Sequence, residues 1–244
     1  SIFRNDLYKG KVVLISGGAT GICYEISKQF LLHGATVYII SRKIENINKA
    51  IQSLKHKPKI NMFMVARVML ETKKVSKIRQ DVVEKFGTID VLVNGAAGNF
   101  LCPIEKLSPN AFKTVLMIDT VGISCSRNTP TSMGSKMGSD HQHTAYLHQT
   151  GVAMQVHAGT AKAGVDAITR HLSVELGPKK IRVVGIIPGA IEGTKIDRLS
   201  GGNKTTDFKT FVPLQRLGRG EDIAKSAIFL ASDAANYITG QTLT

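Results

Sequence analysis

Short apolar runs alternate along the chain with stretches whose apolar residues recur every three or four positions. The first run is Val12 to Ile15 in KVVLISGGATGIC, and an uninterrupted run bounded by turn residues predicts a strand buried on both faces. After the turn Ser16-Gly17-Gly18-Ala19-Thr20-Gly21, the residues Ile22, Ile26, Phe30 and Leu31 share one side of a helix that His33-Gly34 closes. Thr36 to Ile40 predicts a second strand, and Ile47, Ile51 and Leu54 a helix ending near Pro58. Met62 to Met69 reads as a third strand, Val75 to Phe86 as a helix stopped by Gly87, and Ile89 to Val93 as a fourth strand. Ser108-Pro109 is a helix start, an N-cap followed by proline at the first helical position. Ala158 to Leu176 predicts a long helix with Ala161, Val165, Ile168 and Leu172 on one face. Ile181 to Ile187 then reads as a buried strand, Glu221 to Ala231 as a last helix, and Ile238 to Leu243 as a last strand, within which truncation of the C-terminus is expected.

Strictly alternating strands and helices of this kind predict an α/β fold: a Rossmann-like, doubly wound, mostly parallel sheet flanked by helices, as a single domain over residues 1–244. One stretch breaks the pattern. Residues 128–143 are polar and rich in glycine and serine where a fifth buried strand is expected, and they lack the apolar run a central strand requires.

Composition narrows the class. The 244 residues suffice for an ordinary core without disulfides. Three widely spaced cysteines, Cys23, Cys102 and Cys125, without C-x-x-C, argue for a reducing compartment and against zinc. His141, His143 and His148 have no third-ligand spacing, so no metal is expected. No run approaches the roughly 18 apolar residues of a membrane span. The net charge of +14 is high and suits an anionic partner such as a phosphorylated cofactor or a coenzyme A thioester. The basic residues are spread out and aromatics are few, which argues against nucleic acid.

Strand, glycine-rich turn and helix form the first half of a dinucleotide-binding unit. Gly17, Gly18, Ala19, Thr20, Gly21 and Ile22 are the candidate cofactor contacts, because glycines let the backbone approach a pyrophosphate and a helix N-terminus offers unpaired N–H groups. The spacing is Gly17-x-x-x-Gly21-x-Cys23, not G-x-G-x-x-G. Ser41-Arg42-Lys43 follows the second strand, where an NAD site usually has an acidic residue. Arg42 suits a ribose 2′-phosphate, so NADP(H) is the expected cofactor.

The turn resembles the G-x-x-x-G-x-G turn of short-chain dehydrogenases/reductases, with Cys23 at the third glycine, and Asn94-Gly95-Ala96-Ala97-Gly98 resembles their N-x-A-G signature. NGAAGNFLCP, LSPNAFKTV, MIDTVG, MQVHAGTAKAGVDAITRHL and LQRLG together resemble the 2,4-dienoyl-CoA reductases of that family, the peroxisomal form more than the mitochondrial. The resemblance implies reduction of 2,4-dienoyl-CoA to 3-enoyl-CoA with NADPH, in peroxisomal fatty-acid oxidation, by a homo-oligomer, a tetramer among the relatives. It places Asn94, Ala96, Gly98, Lys162, Pro188, Gly189, Ile191 and Thr194 at the cofactor. Phe100, Ser108, Asn110 and Arg198 fall at the acyl-CoA, although by themselves Phe100 reads as a half-buried loop aromatic and Asn110 as a solvated helix residue. Asp119 and Lys162 are the implied catalytic pair. Lys162 has Ala158, not tyrosine, four residues before it, Ala145 takes the usual serine position, and Leu147 stands where the mitochondrial enzymes have tyrosine, so alcohol–carbonyl chemistry is not expected. An alternative reading is a catalytically silent relative, favoured by Cys23, by Val68 at an adenine-binding aspartate position, and by the polar stretch 128–143; Cys23 is expected to crowd the first helix against its strand.

Overall fold

The computed structural model describes residues 2–55, 63–67, 72–121, 135–137, 151–193 and 212–244. Strand β1 (Val12–Ser16) is followed by α1 (Gly21–Leu32), β2 (Thr36–Ser41), α2 (Ile44–Lys55), β3 (Phe63–Arg67), α3 (Thr72–Phe86) and β4 (Val91–Asn94). Then come α4 (Pro109–Leu116), a π-helical turn (Met117–Val121), β5 (Ser135–Met137), α5 (Val156–Leu176), β6 (Gly185–Ile186), α6 (Gly220–Ala231) and β7 (Thr242–Leu243). The strands β3-β2-β1-β4-β5 lie side by side, every pair parallel, and β6 pairs with β7 as a second parallel sheet.

The apolar runs form strands because both faces are covered. Side chains alternate between faces along a strand. Val13, Ile15, Val37, Ile39, Val91 and Val93 meet Ile26 and Phe30 of α1 and Ala224 and Ile228 of α6 on one side. Val12, Leu14, Tyr38, Ile40 and Leu92 meet Ile78 and Val82 of α3 on the other. Each fully buried side chain of this size contributes roughly 1.5–3 kcal/mol. The α/β, Rossmann-like architecture read from the alternation is therefore the observed one.

Some predicted boundaries move. The strand expected over Ile181–Ile187 reduces to Gly185–Ile186, although Ile181, Val183 and Val184 are buried. The N–H of Val183 is taken by the Thr239 hydroxyl at 3.0 Å, outside any ladder, so burial alone did not make a strand there. Likewise the last strand shortens from Ile238–Leu243 to Thr242–Leu243. Within the polar stretch, Ser135–Met137 pairs in register with Val91–Val93 of β4; its hydrogen bonds come from the backbone, which a polar sequence supplies as well as an apolar one. Val68, His141, His143, Ala145, Leu147 and His148 lie outside the described residues.

The strand order places β2 on one side of β1 and β4 on the other, so consecutive crossovers leave in opposite directions. The crevice beyond the carboxyl ends of β1 and β4 is where such sheets bind ligands.

Candidate active site

At that crevice β1 gives way to the glycine turn. Gly17 has φ +74°, and a Cβ there would lie 3.0 Å from the carbonyl oxygen of Gly95, so only glycine allows the two turns to approach. The N–H of Gly17 donates to Ile40 O at 2.7 Å, and the Ser16 hydroxyl accepts from Gly95 N at 3.0 Å and Ala96 N at 3.2 Å. Ser16 thus ties the turn after β1 to the turn after β4. Its position, last in a strand before paired glycines, was the only sequence signal for this role.

Gly18, Ala19 and Ile22 are buried under the turn, while Thr20 and Gly21 face outward. Space is open where a Cβ of Gly21 would project, the Thr20 hydroxyl caps no helix N–H, and the first turn of α1 has no acidic residue. An uncapped, unblocked helix start of this kind fits a dinucleotide pyrophosphate. Arg42 is exposed one residue past β2. Cys23 is seated inside the core at the start of the helix. It is 3% exposed, α1 begins at Gly21, and its thiol donates to Gly95 O at 3.7 Å.

On the other flank of the crevice, Asp119 sits in the π-helical turn after α4 and Lys162 on α5. They form an ion pair of 3.2 Å with side chains 0% and 7% exposed. The second Asp119 oxygen accepts the Gly98 N–H at 2.8 Å. A buried ion pair offsets its desolvation only when further hydrogen bonds hold it, and Gly98 provides one. The pairing is enforced from below. Thr120 donates its hydroxyl to Ala161 O at 3.0 Å, and Gly164 leaves room for the Thr120 methyl, since a Cβ there would lie 2.8 Å from it. Ala158, buried one turn before Lys162, leaves no phenol at that place on α5.

Asn94 ends β4 opposite Ser16, and Ala96 and Gly98 follow in the loop that carries both the Ser16 and Asp119 contacts. The structure therefore brings together Gly17, Asn94, Ala96, Gly98, Asp119 and Lys162 through hydrogen bonds, strand pairing and close contact. Phe100, two residues beyond Gly98, is 38% exposed and stacks on His157. Ser108 caps α4 by accepting Ala111 N at 3.2 Å, and Asn110 is exposed on its first turn. Past β6, Pro188 and Ile191 are buried and Gly189 is exposed; Glu192 N donates to Gly218 O and Gly218 N to Ala190 O, closing that loop against residue 218. Thr194, Arg198 and the glycine-rich 201–207 lie outside the described residues. Sequence reading missed Thr120, Gln155 and His157; the last two lie inside the QVHAG signature, which was the available signal.

Two parallel-sheet turns, an open helix start and a buried Asp–Lys pair lie along this crevice. Residues 17–244 match the enoyl-(acyl carrier protein) reductase family model, and the chain belongs to the short-chain dehydrogenases/reductases. It is an oxidoreductase of that family with a nicotinamide cofactor. Among its relatives, the peroxisomal 2,4-dienoyl-CoA reductase of Mus musculus is 41% identical over 252 residues, covering 99% of this chain and 84% of the relative. The peroxisomal reductase of that name from Saccharomyces cerevisiae is 39% identical, covering 99% and 84%. The crystal structure of a short chain dehydrogenase from Bacillus anthracis superposes with a TM-score of 0.83 at 34% identity, covering 96% of this chain and 94% of that one. Among the described residues, no helix is long and apolar enough to cross a membrane.

Proposed function

We propose that the protein reduces 2,4-dienoyl-CoA thioesters to 3-enoyl-CoA with NADPH, in the peroxisomal oxidation of unsaturated fatty acids. The observation that carries this reading is the buried Asp119–Lys162 pair with alanine at 158. An alcohol–carbonyl reductase needs an acid to protonate an alkoxide. A conjugated thioester needs none at that atom.

A nicotinamide bound there would supply the hydride that the substrate accepts at C5, the far end of the diene. The electron pair moves through the conjugated system to the thioester oxygen, giving a dienolate, and a proton added at C2 leaves the double bond between C3 and C4. Lys162 contributes the positive charge that favours this anion and hydrogen-bonds the nicotinamide ribose. Asp119 holds the Lys162 ammonium in place and so positions the proton source. The open start of α1 receives the pyrophosphate, and Arg42 the 2′-phosphate. Phe100, Ser108 and Asn110, with Arg198, bind the acyl-CoA, and Thr194 contacts the cofactor. The protein works as a homo-oligomer, for which Val174, Leu214 and Tyr237, 77%, 77% and 99% exposed, offer apolar surface.

Loss of NADPH absorbance with a short 2,4-dienoyl-CoA tests this. Asp119→Asn keeps the shape of the side chain and removes the charge, so kcat falls about 100-fold or more. Lys162→Ala lowers kcat similarly and, by stranding a buried carboxylate, costs about 3–5 kcal/mol of stability by urea unfolding. Turnover that survives both changes sinks the assignment of the pair.

A further inference from the structure

Among the described residues, one buried side-chain polar atom has no hydrogen-bond partner: Nδ1 of His157, a residue 0% exposed at the first turn of α5. The other ring nitrogen, Nε2, lies 2.9 Å from the carbonyl oxygen of Phe100. A carbonyl can only accept, so Nε2 carries the proton and Nδ1 is left as a bare acceptor. A buried acceptor without a donor is costly, on the order of 1–3 kcal/mol. Leucine would fill a similar volume without that cost. What the imidazole adds is its bond to Phe100 and its flat face.

That face lies against the Phe100 ring with centroids 4.4 Å apart and planes 22° from parallel. Asn99 Nδ2 donates to Gln155 Oε1 at 2.7 Å, Phe100 N donates to Asn99 Oδ1 at 2.8 Å, and Cys102 N donates to Met154 O at 3.0 Å. The start of α5 and the segment before it therefore grip residues 99–102 side by side. Phe100 remains 38% exposed despite the stack, so part of the ring is pinned and part is open. Gly98, which holds Asp119, is two residues away, at most about 7 Å of chain.

We infer that His157 is a specificity-determining positioning residue: stacked behind Phe100 and bonded to its carbonyl, it makes the Phe100 ring a rigid platform that selects planar, conjugated acyl thioesters over saturated ones. A dienoyl thioester is flat and polarisable and stacks on an aromatic face, whereas a saturated chain is neither. A ring held from behind loses no rotamer freedom when the acyl group arrives. This rests on the acyl-CoA reading above.

The test compares KM for 2,4-hexadienoyl-CoA with the inhibition constant of hexanoyl-CoA in the parent, His157→Leu, Phe100→Leu and the double variant. His157→Leu is expected to shrink the preference for the conjugated chain about fivefold, the scale of one aromatic pair, while KM for NADPH moves less than twofold. In the Phe100→Leu background it should add nothing further, because it acts through that ring. Should His157→Leu fail to fold, His157→Gln, which keeps a donor for the Phe100 carbonyl without a stacking face, carries the same comparison. An unchanged preference, or an effect of His157 that persists without Phe100, overturns the inference. A parent protein that turns over no 2,4-dienoyl-CoA overturns the functional reading, and this inference with it.

Discussion

Thr120 and Gly164 decide how Asp119 meets Lys162. The Thr120 hydroxyl bonds Ala161 O, one residue before the lysine, and its methyl occupies the space that glycine at 164 leaves open. Alanine at 164 suits a helix better than glycine by about 1 kcal/mol. Its Cβ would nonetheless press on a threonine whose hydroxyl is already committed. Gly164→Ala is expected to lower kcat about tenfold, overpacking of this kind costing about 1–3 kcal/mol. Adding Thr120→Ser, which removes the offending methyl and keeps the hydroxyl, should restore most of the rate. Steady-state kinetics on the two variants checks this, and no recovery in the double variant would show that the contact does not govern the pair. The aspartate and lysine were legible as residue types in a family-like pattern. Their separation was not, because it depends on a side chain from one helix finding a gap in another.

Between elements, Tyr8 fastens the segment before β1 to α6. Its hydroxyl donates to Ile228 O at 2.6 Å, and its ring packs edge-on against Phe30 of α1 at 4.9 Å. Burial raises the phenol well above its ordinary value of 10.0, with Arg182 opposing. Above about pH 10 the unfolded chain releases a proton that the folded chain retains, so stability present below that pH is lost as pH rises. Tyr8→Phe should cost about 1 kcal/mol at neutral pH through the lost hydrogen bond, and should flatten the alkaline decline. Urea midpoints at pH 8 and 10.5 compare the two chains; an equal alkaline decline in both would show that another group titrates. Arg182 serves the same junction, donating to the carbonyls of Leu230, Ser232 and Ile238 at and beyond the C-terminus of α6.

Across the whole molecule, the charge of +14 faces substrates that are themselves polyanions. Arg42, exposed past β2, is the residue proposed to meet the 2′-phosphate. Arg42→Ala is expected to raise KM for NADPH about tenfold, the value of one charged hydrogen bond, and to leave that for NADH nearly unchanged. KM for NADPH should also rise with ionic strength, less steeply in the variant, since salt screens an exposed pair. An equal effect on both cofactors would move the phosphate contact elsewhere.

The sequence by itself determined the layered α/β architecture, because uninterrupted apolar runs can be satisfied only between two covering helical layers. It also determined the place of the glycine turn, since glycines directly after an apolar run let the chain turn with positive φ, as Gly17 does at +74°. Strand ends were less legible. Ile181 to Val184 are as apolar as a strand, yet a threonine hydroxyl took the N–H of Val183 and the ladder began only at Gly185. Cys23 looked too large for its position, and the fold seated its thiol against Gly95 O. The tertiary structure alone decided that Asp119 is pinned by Gly98 and Lys162, and that His157 backs Phe100. These contacts join residues 21, 43 and 57 positions apart, and a pattern of local periodicities holds no record of distances at that range.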